Sequence, residues 1–213
     1  MIYIVKHKEY DNPVPQGYKE LGVGKLYDGT GKNINDLNLY LNEVTAMYQL
    51  RYHCDDDIIG LVHYRRFFFK DDEILTLEDA EKILQDYDII LCPFYPAEQG
   101  IYQQMRVDFL QVERLMLDRY RNILCKQIPD IADYFKNETR LIPRNMFIAK
   151  CELINQYFDW MLPIAENMTR EFIKHDVNIV PQKRLLGYLF ERVFGYWIFK
   201  NDLKIKNIEY KEI

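Results

Sequence analysis

The segment Asp57–Phe69 reads DIIGLVHYRRFFF. Its run Ile58–Val62 carries no charge, and an uninterrupted apolar stretch is what a strand covered on both faces of a sheet requires. The segment is read as one buried central strand with a polar tip at His63, Tyr64, Arg65 and Arg66. Before it, Leu37, Leu41, Val44 and Tyr48 recur at three- and four-residue spacing, which predicts a helix capped by Asn35 or Asn38 and running to about Tyr52. After it, Thr76 with Asp79 starts a helix to about Gln85. DIILC, residues 88–92, is then a second buried strand, closed by Pro93 and Pro96. Helices and strands alternating at this length predict an α/β fold, a mixed, mainly parallel sheet flanked by helices.

The remaining elements fit that plan. Ile2–Val5 opens as a short strand and feeds a polar loop from Tyr10 to Lys32, long enough to serve as a ligand cover. A long helix is expected over 103–124 and a strand at Asn145–Ala149. A further helix starts near Glu152 and is ended or kinked by Pro163. Apolar pairs every four residues from Leu185 to Ile198 mark the clearest amphipathic helix, over 183–200, and Leu203–Tyr210 alternates like an edge strand. With no linker or internal repeat, residues 1–213 are read as a single domain.

Twenty-eight Lys and Arg stand against 33 Asp and Glu, a net charge of −5, so nothing draws the chain as a whole to nucleic acid or an anionic membrane. Any anion site must be local. Four cysteines without CxxC spacing indicate reduced thiols and a cytoplasmic setting. No window approaches the ~18 apolar residues of a membrane span. The expectation is a cytoplasmic protein, with an aromatic C-terminal third suited to peripheral contact at the inner face of the membrane or with an assembly complex. GxSxG, GxxxxGK and GxGxxG are absent, which lowers the weight of the enzymes that use them.

Two adjacent arginines cannot both enter a core, and a planar guanidinium matches phosphate oxygens, so Arg65 and Arg66 at the end of a buried strand suggest a diphosphate. Pairing with Asp55–Asp57 or with Asp71 and Asp72 is the plainer alternative. Those aspartates also suit a divalent cation, although Asp55–Asp57 precede the strand. Glu191 and Arg192, with Arg184 seven residues before Glu191, offer a carboxylate beside an arginine, as a base or as an ion pair. Asn145 ahead of its strand, and Asn42 with Glu43 inside the first helix, are weaker signals. His7, His53 and His175 lack HxxxH spacing and are read as ordinary polar histidines.

The combination of NINDLNLYLNEVTAMYQL (33–50), DIIGLVHYRRFF (57–68), DYDIILCP (86–93), NMFIAK (145–150) and RLLGYLFERVFGYWI (184–198) resembles the bacterial family of domain of unknown function 4422. That family is regarded as glycosyltransferase-like and belongs to capsular-polysaccharide, exopolysaccharide and lipopolysaccharide clusters. The resemblance implies a GT-A-like fold and transfer of a hexosyl group, galactosyl or galactofuranosyl among the candidates. The donor would be a nucleoside diphosphate sugar, UDP-linked by preference, and the acceptor a glycan or lipid-linked glycan. His63-Tyr64-Arg65-Arg66 would stand where many such enzymes carry an Asp-x-Asp metal motif. No metal or other cofactor is therefore expected, with Mn or Mg the alternative. Arg65 and Arg66 would stabilise the leaving diphosphate, with Tyr64, Glu43, Arg184 and Arg192 among the substrate-binding residues. Glu191 would be the base and His63 a phosphate contact or acid. Asn145 would lie on the acceptor side, and Lys6, Tyr18 and Lys25 of the N-terminal segment would cover the nucleotide. A sugar-phosphate transferase and a non-catalytic interaction module are the competing readings.

Overall fold

The computed structural model describes residues 1–107 and 109–213. In chain order the elements are β1 (Ile2–Lys6), β2 (Tyr18–Gly22), α1 (Asn38–Leu41), α2 (Glu43–His53), β3 (Ile58–His63), β4 (Arg66–Lys70), β5 (Glu73–Ile74), α3 (Leu77–Ile83), β6 (Ile89–Leu91), β7 (Tyr95–Pro96), α4 (Ile101–Arg106), α5 (Gln111–Gln127), α6 (Ile131–Asn137), β8 (Arg140–Leu141), β9 (Phe147–Lys150), α7 (Cys151–His175), α8 (Leu185–Lys200), β10 (Ile205–Asn207) and β11 (Tyr210–Glu212).

The main sheet follows the order β10-β6-β9-β3-β1-β2. β1 is parallel to β2 and β3, and β10 to β6, while β9 runs antiparallel to both β3 and β6. Five of the six strands therefore point one way, as the alternation of helix and strand predicts. β4 turns back antiparallel from β3 and carries β5 and β11 at its sides.

Period-two alternation along the strands feeds two cores. Tyr3, Val5, Ile59, Leu61 and Phe147 pack with the apolar faces of α2, α7 and α8, whereas Ile2, Ile4, Val62 and Ile148 pack with α3 and with Phe67 and Phe68 of β4. Gly60 in β3 pairs with Ile2 and Ile148, and a Cβ there would come within 2.9 Å of Ile2 and 3.0 Å of Ile148. The glycine is the space into which those two isoleucines fit.

The structure corrects several sequence expectations. Residues 57–69 are not one strand: β3 ends at His63, Tyr64 and Arg65 make a turn, and β4 starts at Arg66. The turn leaves Arg65 exposed at the sheet edge and returns Phe67 and Phe68 to the core. The predicted first helix is broken at Asn42, whose φ of 52° and ψ of −121° no helix can contain. The helix expected over 103–124 is two, because the Glu113 carboxylate accepts the backbone N–H of Leu110 and starts α5 afresh. The loop 10–32 contains β2, where the hydroxyl of Tyr18 is buried on the Leu75 carbonyl. α7 runs through Pro163 to His175, carried by a buried stripe from Ile154 to Phe172 on both sides of the proline. Residues 203–210 are shared between β10 and the start of β11 rather than forming one edge strand. Among the described residues, no helix is long and apolar enough to cross a membrane.

Candidate active site

The carboxyl ends of β1, β2 and β3 open on a cleft of about 600 Å³. Parallel strands favour such a site, because the loops leaving neighbouring strands diverge and leave a crevice. β1 delivers Val5 and His7, β2 delivers Gly24 and Lys25, and the β3–β4 turn delivers His63, Tyr64, Arg65 and Arg66. The facing wall is Asn38, Asn42 and Glu43, with Arg184 from the residue before α8.

The cleft is cationic. Arg65 is exposed, its guanidinium 5.9 Å from the centre of the Tyr64 ring, and among the described residues no carboxylate pairs with it. Arg184 is also exposed and donates from Nε to Oδ1 of Asn42 at 2.7 Å, a neutral acceptor that leaves the charge uncancelled. Lys25 is a third exposed cation without a carboxylate partner among the described residues. Of the acids on the wall, Asp36 is paired with Arg170 at 3.1 Å, and Glu43 faces His63. His7, stacked edge-on to Tyr64 at 5.3 Å, registers this field: burial and then Arg184 and Lys8 hold its pKa below the ordinary histidine value, against Glu43.

Arg66 has a different task. Its Nε donates to Glu212 at 2.7 Å and its Nη1 lies 3.2 Å from Nδ1 of His63. A guanidinium only donates, so Nδ1 accepts and the imidazole proton sits on Nε2, which donates to the Arg144 carbonyl at 2.7 Å. Burial, and the adjacent Arg66, push the His63 pKa below its usual value, although Glu43 at 3.7 Å pulls it up. His63 is thus a neutral imidazole with both nitrogens engaged.

The same peptide segment is held from α8. The Arg144 N–H donates to one oxygen of Glu191, whose other oxygen pairs with Arg192. Arg144 and Asn145 both have positive φ, 74° and 52°, so Glu191 and His63 grip a backbone that is unfavourable for non-glycine residues. Asn145 is buried, and its Oδ1 has no hydrogen-bond partner among the described residues.

Of the residues singled out in the sequence, the cleft thus brings together His63, Tyr64, Arg65, Arg66, Asn42, Glu43, Arg184 and Lys25. Asn145, Glu191 and Arg192 do not line it and lie behind His63. Lys6 is tied to Glu20 at 2.8 Å and Glu9 at 3.0 Å. Asp56 accepts from Tyr3 and lies at the opposite end of β3, and Asp72 pairs with Lys211, so neither pairs with the arginines of the turn. His7 and Arg144 carried no motif to announce them. Their places follow from the end of β1 and from a turn between β8 and β9, which only the assembled sheet brings beside the β3–β4 turn.

No curated protein matches the chain in sequence. Among solved structures, the apo structure of WbbM, a bifunctional glycosyltransferase, superposes with a TM-score of 0.81 at 20% identity, over 100% of this chain and 45% of that one. The chain therefore spans less than half the length of that relative and shares its fold. The family model matches residues 1–202, nearly the whole chain, and the chain therefore belongs to the family described as domain of unknown function DUF4422.

Proposed function

We propose that the cleft binds a nucleoside diphosphate sugar and that the protein transfers the hexosyl group, galactosyl in pyranose or furanose form among the candidates, to a growing cell-surface glycan. The carrying observation is the set of Arg65, Arg184 and Lys25, three cations without carboxylate partners among the described residues, around a cleft at the ends of parallel strands. The fold shared with a bifunctional glycosyltransferase supports the reading.

In this reading Arg65 and Arg184 meet the diphosphate and stabilise the charge that develops on it as the glycosidic bond to the sugar breaks. Guanidinium groups thereby supply the neutralisation that a divalent cation supplies elsewhere, so no metal cofactor is required. Tyr64 and His7 line the cleft beside Arg65. Glu43 is the wall carboxylate placed to take the proton of an acceptor hydroxyl in an inverting transfer. Glu191, which the family resemblance suggests as base, has both oxygens occupied and acts on the site through Arg144 and His63.

The test is calorimetric titration of UDP and UDP-hexoses into the wild-type chain and into Arg65→Ala, with and without EDTA. Binding that survives EDTA and falls about tenfold or more in the variant is expected, the scale of a lost charge-assisted contact. Binding abolished by EDTA, or untouched by the substitution, would overturn the assignment. Product analysis with a glycan acceptor separates hexosyl transfer from sugar-phosphate transfer by whether phosphorus stays in the linkage.

A further inference from the structure

Asn42 combines three features. Its backbone, at φ 52° and ψ −121°, occupies a region that glycine tolerates and other residues avoid, and it sits where α1 stops and α2 starts. Its Oδ1 accepts the Nε–H of Arg184 at 2.7 Å, and both residues line the cleft. Its neighbours over-determine this conformation. The Asn42 N–H donates to Asn38, and its carbonyl accepts from the N–H of Thr45 at 3.0 Å and from the Thr45 hydroxyl at 2.7 Å. From the other side, a Cβ on Gly187 of α8 would lie 2.5 Å from the Asn42 amide and 3.0 Å from the Tyr40 carbonyl, so a glycine there is what lets α8 come this close.

Local propensity would put glycine at position 42. A carboxylate there would bind the guanidinium more tightly but cancel its charge. Asparagine meets a demand that neither meets: it tethers Arg184 by the inner nitrogen and leaves the two terminal nitrogens, which have no hydrogen-bond partner among the described residues, and the positive charge to a ligand of the cleft. We infer that Asn42 is a positioning residue, a neutral tether that aims Arg184 at the phosphate groups of the ligand. The inference rests on the reading of the cleft as a diphosphate site.

The experiment compares UDP and UMP binding by the wild-type chain, Asn42→Asp and Asn42→Gly, with thermal unfolding of each without ligand. Asn42→Asp replaces the tether by an ion pair and is expected to keep the unfolding temperature while UDP affinity falls roughly tenfold, the scale of one charge-assisted hydrogen bond lost. UMP, with one phosphate, should lose less, so the UDP-to-UMP affinity ratio falls. Asn42→Gly suits the backbone and frees the guanidinium, so it should also unfold as the wild type does and also lose UDP preference. A purely structural role for Asn42 would lower the unfolding temperature and weaken both nucleotides alike, and that result would overturn the inference. Unchanged UDP affinity in Asn42→Asp would overturn it while leaving the diphosphate site standing. Failure of the wild-type chain to bind UDP or UMP would overturn both.

Discussion

His63 shows how one side chain at the rim of a sheet is given a single protonation state. Arg66 donates to one nitrogen, the other donates its N–H to the Arg144 carbonyl, and burial with the nearby guanidinium disfavours the imidazolium. Its folded pKa lies below the unfolded value of 6.5, so unfolding takes up a proton on the acid side. The contribution is complete above about pH 6.5 and is lost as the pH falls from there toward the folded pKa. The unfolding temperature of the wild-type chain should therefore drop more steeply between pH 7 and 5 than that of His63→Asn. Parallel curves would show that His63 is not held neutral. His7 shifts in the same direction but is common to both proteins, so the comparison isolates His63.

The β3–β4 hairpin and the α1–α2 break form facing walls of the cleft. β3 needs an apolar strand with one residue small enough for two neighbours, and Gly60 supplies it. Gly60→Ala should destabilise by about 1–3 kcal/mol, an overpacking cost at the centre of the sheet, without moving the cleft residues. A chemical-denaturation midpoint equal to the wild type would show that Ile2 and Ile148 give way freely. The helix break has the opposite character: an irregular backbone between two regular segments, maintained because it places Asn42 and Glu43 on the cleft wall. Periodicity marked Leu37, Leu41, Val44 and Tyr48 as recurring along one helix, and all four are buried. It could not register a single residue at positive φ, because asparagine is compatible with helix, cap and turn alike.

Across the molecule, residues 203–213 lie beyond the family match and still supply one edge strand of the main sheet and a partner strand for β4. β10 pairs with β6 through residues 205–207, and β11 pairs with β4, where Glu212 holds Arg66 at 2.7 Å and the Ile213 N–H donates to the Arg65 carbonyl at 3.1 Å. The hairpin that presents Arg65 is thus braced from a distance of more than 140 residues in sequence. Deleting 209–213 should lower both the unfolding temperature and UDP affinity, whereas Glu212→Gln, which keeps the strand pairing, should do much less. A truncated chain that melts and binds like the intact one would show that the hairpin stands alone.

The α/β class, the buried strands at 58–62 and 89–91, the Thr76 cap and the apolar face of α8 were legible because each depends on residues close in sequence: runs, periods and caps. The HYRR quartet was legible as a candidate for the same reason, being polar where a buried strand ends. What each member does was not. Arg65 and Arg66 are adjacent and chemically identical, and only their partners separate them, Glu212 and His63 occupying one and no carboxylate among the described residues the other. Glu43 faces the cleft and Glu191 is locked behind it because α2 and α8 approach the sheet from different positions. Charge pairing and strained backbone depend on residues brought together from far apart in the chain, and those the tertiary structure alone decided.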